Sequence, residues 1–218
     1  SIRIVYAYIK SKHAEIKKVL PFLVFLFFHC LVFSQQLKQQ QWEASAFTKI
    51  IIHAPWVTTF HLEGSAESDS IVLSYRGSGE YQNRVLLKTV THQKTLFLSE
   101  MISPLAISHN DKLGAHKVIA TSLRIKIPSQ LPIQIELEEA ETSVFGTLEA
   151  LEMVQNKGKC TLHGKVAGTL QTAGANVAVL LADLPILAKS LSGDIAITKP
   201  STSAMLQIST ISGNIHQP

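Results

Sequence analysis

An all-β fold is predicted by three observations. Short runs rich in Val, Ile, Thr and aromatic residues follow one another along most of the chain. Some alternate apolar and polar residues with the period of two that a half-buried strand requires. A glycine-centred segment also recurs four times in the C-terminal third. The runs, in order, are Lys49–His53, Trp56–Leu62, Ile71–Tyr75, Arg84–Val90, Thr95–Leu98, Lys117–Ile127 and Ile133–Leu137. Leu123, Ile125 and Ile127 alternate with Arg124 and Lys126, and Ile133, Ile135 and Leu137 alternate with Gln134, Glu136 and Glu138. Gly64, Gly77, Gly79 and Pro128 punctuate the runs as turn formers. Leu148–Val154 reads equally as a helix or a strand.

The repeated segment sharpens the class. Around Gly146, Gly168, Gly193 and Gly213 the chain reads aliphatic, any residue, Gly, then Thr, Asp or Asn, then aliphatic. These glycines lie 22, 25 and 20 residues apart. A recurrence of this length is the mark of a solenoid, whose coils bury their apolar faces only by stacking. Gly suits the bend of each coil, with the flanking aliphatics pointing inward. The expected architecture is therefore a β-solenoid of short strands, with a β-sandwich as the alternative, in which the glycines mark ordinary turns. Gly158, Gly164 and Gly174 fall outside the pattern.

The N-terminus reads as an address. Lys17 and Lys18 precede an apolar run over 19–33, and polarity rises after Ser34. This is the plan of a secretory signal peptide, with Val32 and Ser34 at the cleavage site. The run is shorter than the roughly 20 residues that span a bilayer, so no stable membrane span is expected after cleavage. Residues 1–15 read as upstream sequence ahead of a start near Ile16. The 218 residues carry a net charge of +4, but residues 1–34 hold five of the 20 Lys and Arg and one of the 16 Asp and Glu. The mature chain keeps 15 of each and is neutral. Residues 35–46 are expected to be a short N-terminal segment, and 47–218 one domain. Nucleic acid is excluded as a partner, because the remaining cations are scattered and balanced. Only Cys160 survives cleavage, so no internal disulfide forms.

Catalytic chemistry finds little to stand on. No nucleophile elbow is present, and Cys160 and His163 fall on opposite faces of one run. Cys160 is expected to be a small buried hydrophobe. None of the seven histidines of the mature chain shows metal-ligand spacing. His109, Asp111 and His116 lie within eight residues, but Asp111 fits a turn and Lys112 and Lys117 repel a cation. Glu136, Glu138, Glu139 and Glu141 form the densest acidic run, expected to be a solvated face. Their convergence with His or Asp in a groove would instead mark a polysaccharide-acting enzyme. Trp56, Thr58 and Phe60 share one face of a regular strand, and Trp56 and Phe60 are expected in the core. No catalytic, cofactor or metal residue is assigned.

The recurring Ser-Gly-Asp-Ile type segment, behind a signal peptide, resembles the bacterial "putative adhesin" β-solenoid family of unknown function. Asn110–Ala120 is similar to a stretch of its Bacteroidetes (flavobacterial) members, and the region around Ser34 to that phylum's signal peptides. The resemblance covers about residues 47–216. It implies a right-handed β-helix-like fold, located in the envelope or secreted, and no established chemistry. The expectation is an exported structural or adhesive binding protein in the periplasm, at the surface or secreted, with no catalytic activity or cofactor. A carbohydrate-binding or polysaccharide-acting β-helix protein is the alternative. The expected partners are an envelope protein or an extended carbohydrate. Self-association through open solenoid ends is also expected, since the last coil carries no polar cap.

Overall fold

The computed structural model describes residues 36–78, 84–104, 120–181, 186–190 and 206–216. Twelve strands are found among them: β1 (Gln36–Glu43), β2 (Lys49–His53), β3 (Val57–Ser65), β4 (Ser70–Ser78), β5 (Val85–His92), β6 (Thr95–Ile102), β7 (Ala120–Pro128), β8 (Ile133–Thr172), β9 (Asn176–Leu181), β10 (Ile186–Ser190), β11 (Leu206–Thr210) and β12 (Ile215–His216). A single 3-10 turn, Ala44–Ala46, follows β1. No α-helix occurs among the described residues, and Leu148–Val154 lies within strand. All twelve strands belong to one curled sheet. This curled sheet is not clearly the right-handed β-solenoid expected, and its arms are joined through β8 rather than forming two separate sheets.

The sheet has two arms, both running through β8. In the first arm, β2 lies parallel between β6 and the start of β8. In the second, β3 lies parallel between β7 and residues 141–146 of β8. The chain thus lays down a β2–β3 layer early and later places a layer on each side of it. Farther on, residues 159–163 of β8 pair in parallel with β9, and β9 with β12. Residues 168–172 pair in parallel with β11, and β11 with β10. At the other end the pairing turns antiparallel, through β7–β4–β1 and β6–β5. The sheet therefore takes in residues 36–43, upstream of the boundary expected at 47.

Inward residues form columns across the layers. Leu123, Phe60 and Thr142 are register neighbours, as are Ile125, Leu62 and Val144. All of these are buried. Cys160 continues the core and is register partner of Val177, itself partner of Ile215. Identical spacing along every strand puts aliphatic on aliphatic, so burial proceeds one layer at a time.

Gly146 sits against the backbone of Gly64, and Gly164 against that of Gly146. The stacking partner of Gly146 is thus Gly164, 18 residues on, rather than Gly168. Gly158 likewise meets Ala140, and Gly168 meets Leu151. The step between layers within β8 is 17 or 18 residues, shorter than the spacing of the recurring segments. That spacing compares segments on different arms: Gly146 closes a second-arm stretch, whereas Gly168 opens a first-arm one. Gly193 lies outside the described residues. Ile211, expected to point inward, is 57% exposed, while Ile215 is buried. Trp56, Thr58 and Phe60 do not share a face either. A register shift between Val57 and Thr59 pushes Thr58 out, so Val57 and Phe60 are both buried and Trp56 is half-buried.

Two substitutions test this architecture. Gly146 has φ of +82°, and a Cβ there would strike the Gly64 carbonyl oxygen. Gly146→Ala should therefore cost on the order of 3 kcal/mol in chemical denaturation. Gly174→Ala, where the nearest obstacle is the movable Ser212 hydroxyl, should cost far less. The β5–β6 hairpin turns on Gln93 and Lys94, both at positive φ (45° and 59°). That conformation favours Asn-Gly, so the double change Gln93→Asn, Lys94→Gly should raise stability by about 1 kcal/mol.

Candidate functional site

The acidic run is spread around a bend of β8. Glu136 accepts from His53 across one layer, with 3.1 Å between Nδ1 and Oε2, and both side chains are exposed. Glu138 accepts from Asn156 at 2.8 Å. Among the described residues, no group of three or more His, Cys, Asp or Glu side chains is placed to hold a metal ion. His109, Asp111 and His116 lie outside the described residues, as do residues 1–34, where a signal peptide is expected. Cys160 is fully buried, and burial pushes its thiol up to about 12. His163 lies on the opposite, outward face.

The most ordered outward feature is an aromatic ladder on the second arm. Phe145 is the register partner of Glu63, and His61 lies diagonally from it on β3. The His61 and Phe145 ring centroids are 5.0 Å apart, tilted by 37°. His163, on the following layer, stands edge-on to Phe145 at 5.7 Å and 80°. All three rings are half-buried. Burial lowers the pKa of His61, and Arg124, its register partner, lowers it further; Glu63 opposes both. His61 is therefore mostly neutral at neutral pH.

Cations border the ladder. Lys126 is paired with Glu63 at 2.8 Å. Arg124 and Arg76 are exposed and lie diagonally across the β7–β4 pair, since Ser74 is opposite Arg124 and Arg76 is opposite Ser122. Neither guanidinium has a carboxylate partner among the described residues. Sequence spacing could not join His61 to His163, because more than a hundred residues separate them and layer stacking brings them together.

A second feature lies inside. Glu100 is only 5% exposed. Its carboxylate accepts from Tyr75 Oη at 2.8 Å and from the Trp56 amide at 2.7 Å. The Thr121 hydroxyl stands 3.1 Å from the Glu100 carboxylate and 2.7 Å from the Trp56 carbonyl. The cluster ties β6 to β4, β7 and the bend before β3. The clue was the alternation Leu96, Leu98, Glu100, which places Glu100 on the inward face.

An open groove of about 660 Å³ lies between the Ala44–Ala46 turn and the loops that follow β3 and β7. Phe47 and Leu131 are among its apolar lining, and Glu67 and Asp69 are its charged residues.

No protein-family model matches the chain, and no curated protein does. Among solved structures, it is similar to one described as a "putative cell adhesion protein" from Clostridium sporogenes. The TM-score is 0.54 at 16% identity, covering 85% of this chain and 100% of that one. A "putative adhesin" from Bacteroides fragilis aligns at 14% identity over 84% of this chain and 97% of that one, with a TM-score of 0.32. Another from Parabacteroides merdae aligns at 12% identity over 84% and 78%, with a TM-score of 0.32. The likeness to the Clostridium protein is one of fold. No helix among the described residues is long and apolar enough to cross a membrane.

Glu100 predicts a pH dependence. Burial raises its pKa above 4.5, against the lowering effect of its hydrogen bonds. A carboxyl raised in the folded state contributes stability that is complete below the unfolded value and lost as pH rises through the folded one. Denaturation midpoints of the wild type should therefore fall relative to those of Glu100→Gln as pH rises from about 4.5. A constant difference between the two proteins across that range would show that Glu100 does not titrate as described.

Proposed function

We propose that the chain is an exported adhesive or structural binding module of the bacterial envelope, without catalytic activity, of the kind called adhesins. The observation that carries this reading is the second arm's outward face. It is a surface of side chains in register, running across β7, β3, β8 and β9. Such a surface suits an extended or repetitive partner, because each added layer offers the same contact about 4.8 Å farther on. The fold shared with the Clostridium protein described as a "putative cell adhesion protein" supports the same reading. So does the dispersal of Glu136 and Glu138 onto separate partners, which argues against a paired-carboxylate glycosidase. In this reading the parallel stack from residue 133 onward is a β-solenoid. Residues 1–34 direct export and are removed, leaving an envelope-bound or secreted protein. The open far end of the stack is available for self-association.

Expression of the full chain in a bacterial host tests the proposal. The protein should be recovered from the envelope or medium with an N-terminus at Gln35, and beads coated with it should be retained on bacterial cells or polysaccharide-coated surfaces. An unprocessed cytosolic chain overturns the export. Beads that wash away like bare ones overturn the adhesive role.

A further inference from the structure

We propose that the outward face of the second arm binds an acidic, carboxylate-bearing polysaccharide, which runs along the stack across the strands. This rests on the binding role proposed above and names the ligand class of that face.

Two independent arrangements on the face converge on this ligand. The first is the ring ladder. Phe145 is held between His61 and His163 at centroid distances of 5.0 and 5.7 Å, and all three rings remain partly open to solvent. The three rings, one per layer and tilted or edge-on to one another, form an aromatic strip against which the apolar C–H faces of successive sugar rings can pack. They also follow the direction in which the layers repeat. Isolated surface aromatics carry no such direction.

The second is the charge left over beside the ladder. Lys126 is neutralised by Glu63, but Arg124 and Arg76 have no acidic partner among the described residues. The diagonal between them is roughly 7–8 Å, close enough for both to serve one chain. A guanidinium is a planar fork that matches a carboxylate with two parallel hydrogen bonds. Arg124 lies on β7 and Phe145 two layers away on β8, so cation and ring are about 9.6 Å apart along the stack. That separation suits a polymer whose charge recurs on alternate or successive sugars. It suits a compact anion poorly, because such an ion would reach the arginines beside His61 and miss Phe145 and His163.

The other surfaces fit this ligand less well. The groove beside the 3-10 turn carries Glu67 and Asp69, which repel an anion. On the first arm's outward face, Lys49 and His53 already have Glu152 and Glu136 as partners.

The test uses the full chain and four soluble polymers in titration calorimetry or biolayer binding. They are polygalacturonate, its fully methyl-esterified form, dextran sulfate and neutral dextran. Polygalacturonate should bind in a salt-sensitive manner, and its methyl ester and neutral dextran should bind at least tenfold more weakly. The double variant Arg76→Gln, Arg124→Gln, which alters only exposed side chains, should lose roughly tenfold or more in affinity. Phe145→Ala should weaken binding without removing its salt dependence. Circular dichroism melts would show that the variants remain folded, and Phe145→Leu replaces Phe145→Ala if the latter unfolds. Three results overturn the proposal: no binding to polygalacturonate, full affinity in the double arginine variant, or dextran sulfate bound as tightly with no effect of Phe145. If beads bearing the double arginine variant still adhere like the wild type, adhesion stands and this face is not its site. If neither protein adheres, the failure belongs to the adhesive reading itself.

Discussion

The structure depends on backbone pairing between parallel layers. Every strand N–H and C=O in the interior of the stack must find its partner in the layer above or below. The partner is available only if successive layers keep the same side-chain phase. In the described part of the chain this holds from β7 through β3 to β8 and β9. The condition is stringent where the strand bends. Gly64, Gly146 and Gly164 bring carbonyl oxygens of one layer against the α-carbons of the next, where a side chain has no room. Once these glycines permit close stacking, the columns Leu123–Phe60–Thr142 and Ile125–Leu62–Val144 follow from register alone. Among the described residues the stacking leaves two buried side-chain oxygens without a hydrogen-bond partner, the Thr142 hydroxyl and Gln155 Oε1. An aliphatic residue in place of Thr142 would fill its column without a polar group to satisfy.

A stack of this kind has two ends, and each leaves strand edges. At the N-terminal end, antiparallel strands take over and the edges become β1 and β5. They are not left bare. Lys38 donates to the Leu87 carbonyl at 2.8 Å, and the Thr89 hydroxyl donates to Gln40 at 2.9 Å. Side chains of one edge thus reach the other, and half-buried Lys38 and Gln40 put polar groups where an apolar edge would invite pairing. The Glu100 cluster serves the same end of the molecule. Its donors, the Tyr75 hydroxyl and the Trp56 amide, come from two other stretches of chain, and they satisfy a carboxylate that burial would otherwise make costly.

Strand identity was legible because period two is written directly in residues such as Ile133, Ile135 and Leu137, all buried as expected. Layer order was not, because β2 and β3 pair with β8 across more than eighty residues. No local pattern carries that information. The glycine recurrence pointed to stacking but gave the wrong partner for Gly146. A segment that recurs at bends of both arms mixes two columns, and its spacing then measures the path along the chain rather than the step between layers. The bulge at Thr58 erased the shared face expected of Trp56, Thr58 and Phe60, since one extra residue inverts every side chain beyond it. The site shows the same division. The outward orientation of His163 followed from its distance to Cys160. Its meeting with Phe145 required the 18-residue step, which only the stacked backbone reveals.

The outward columns obey the same register as the core but lie under no packing constraint, which lets them carry a function. On the first arm, the cations Lys49 and His53 meet Glu152 and Glu136. Exposed pairs of this sort contribute little to stability, yet they leave those charges already matched. On the second arm, the register that pairs Lys126 with Glu63 sets Arg124 beside His61 and opposite Ser74. No acidic residue follows in that column on β8, where Ser143 occupies the place. Arg124 and Arg76 are neighbouring cations whose repulsion costs folding energy, and His61, its pKa lowered by burial and by Arg124, supplies neither of them with a partner. A carboxylate in any of these outward positions would relieve that repulsion without disturbing the core. The mismatch is therefore free of any structural requirement, and an external anion supplies the charge that the fold leaves out.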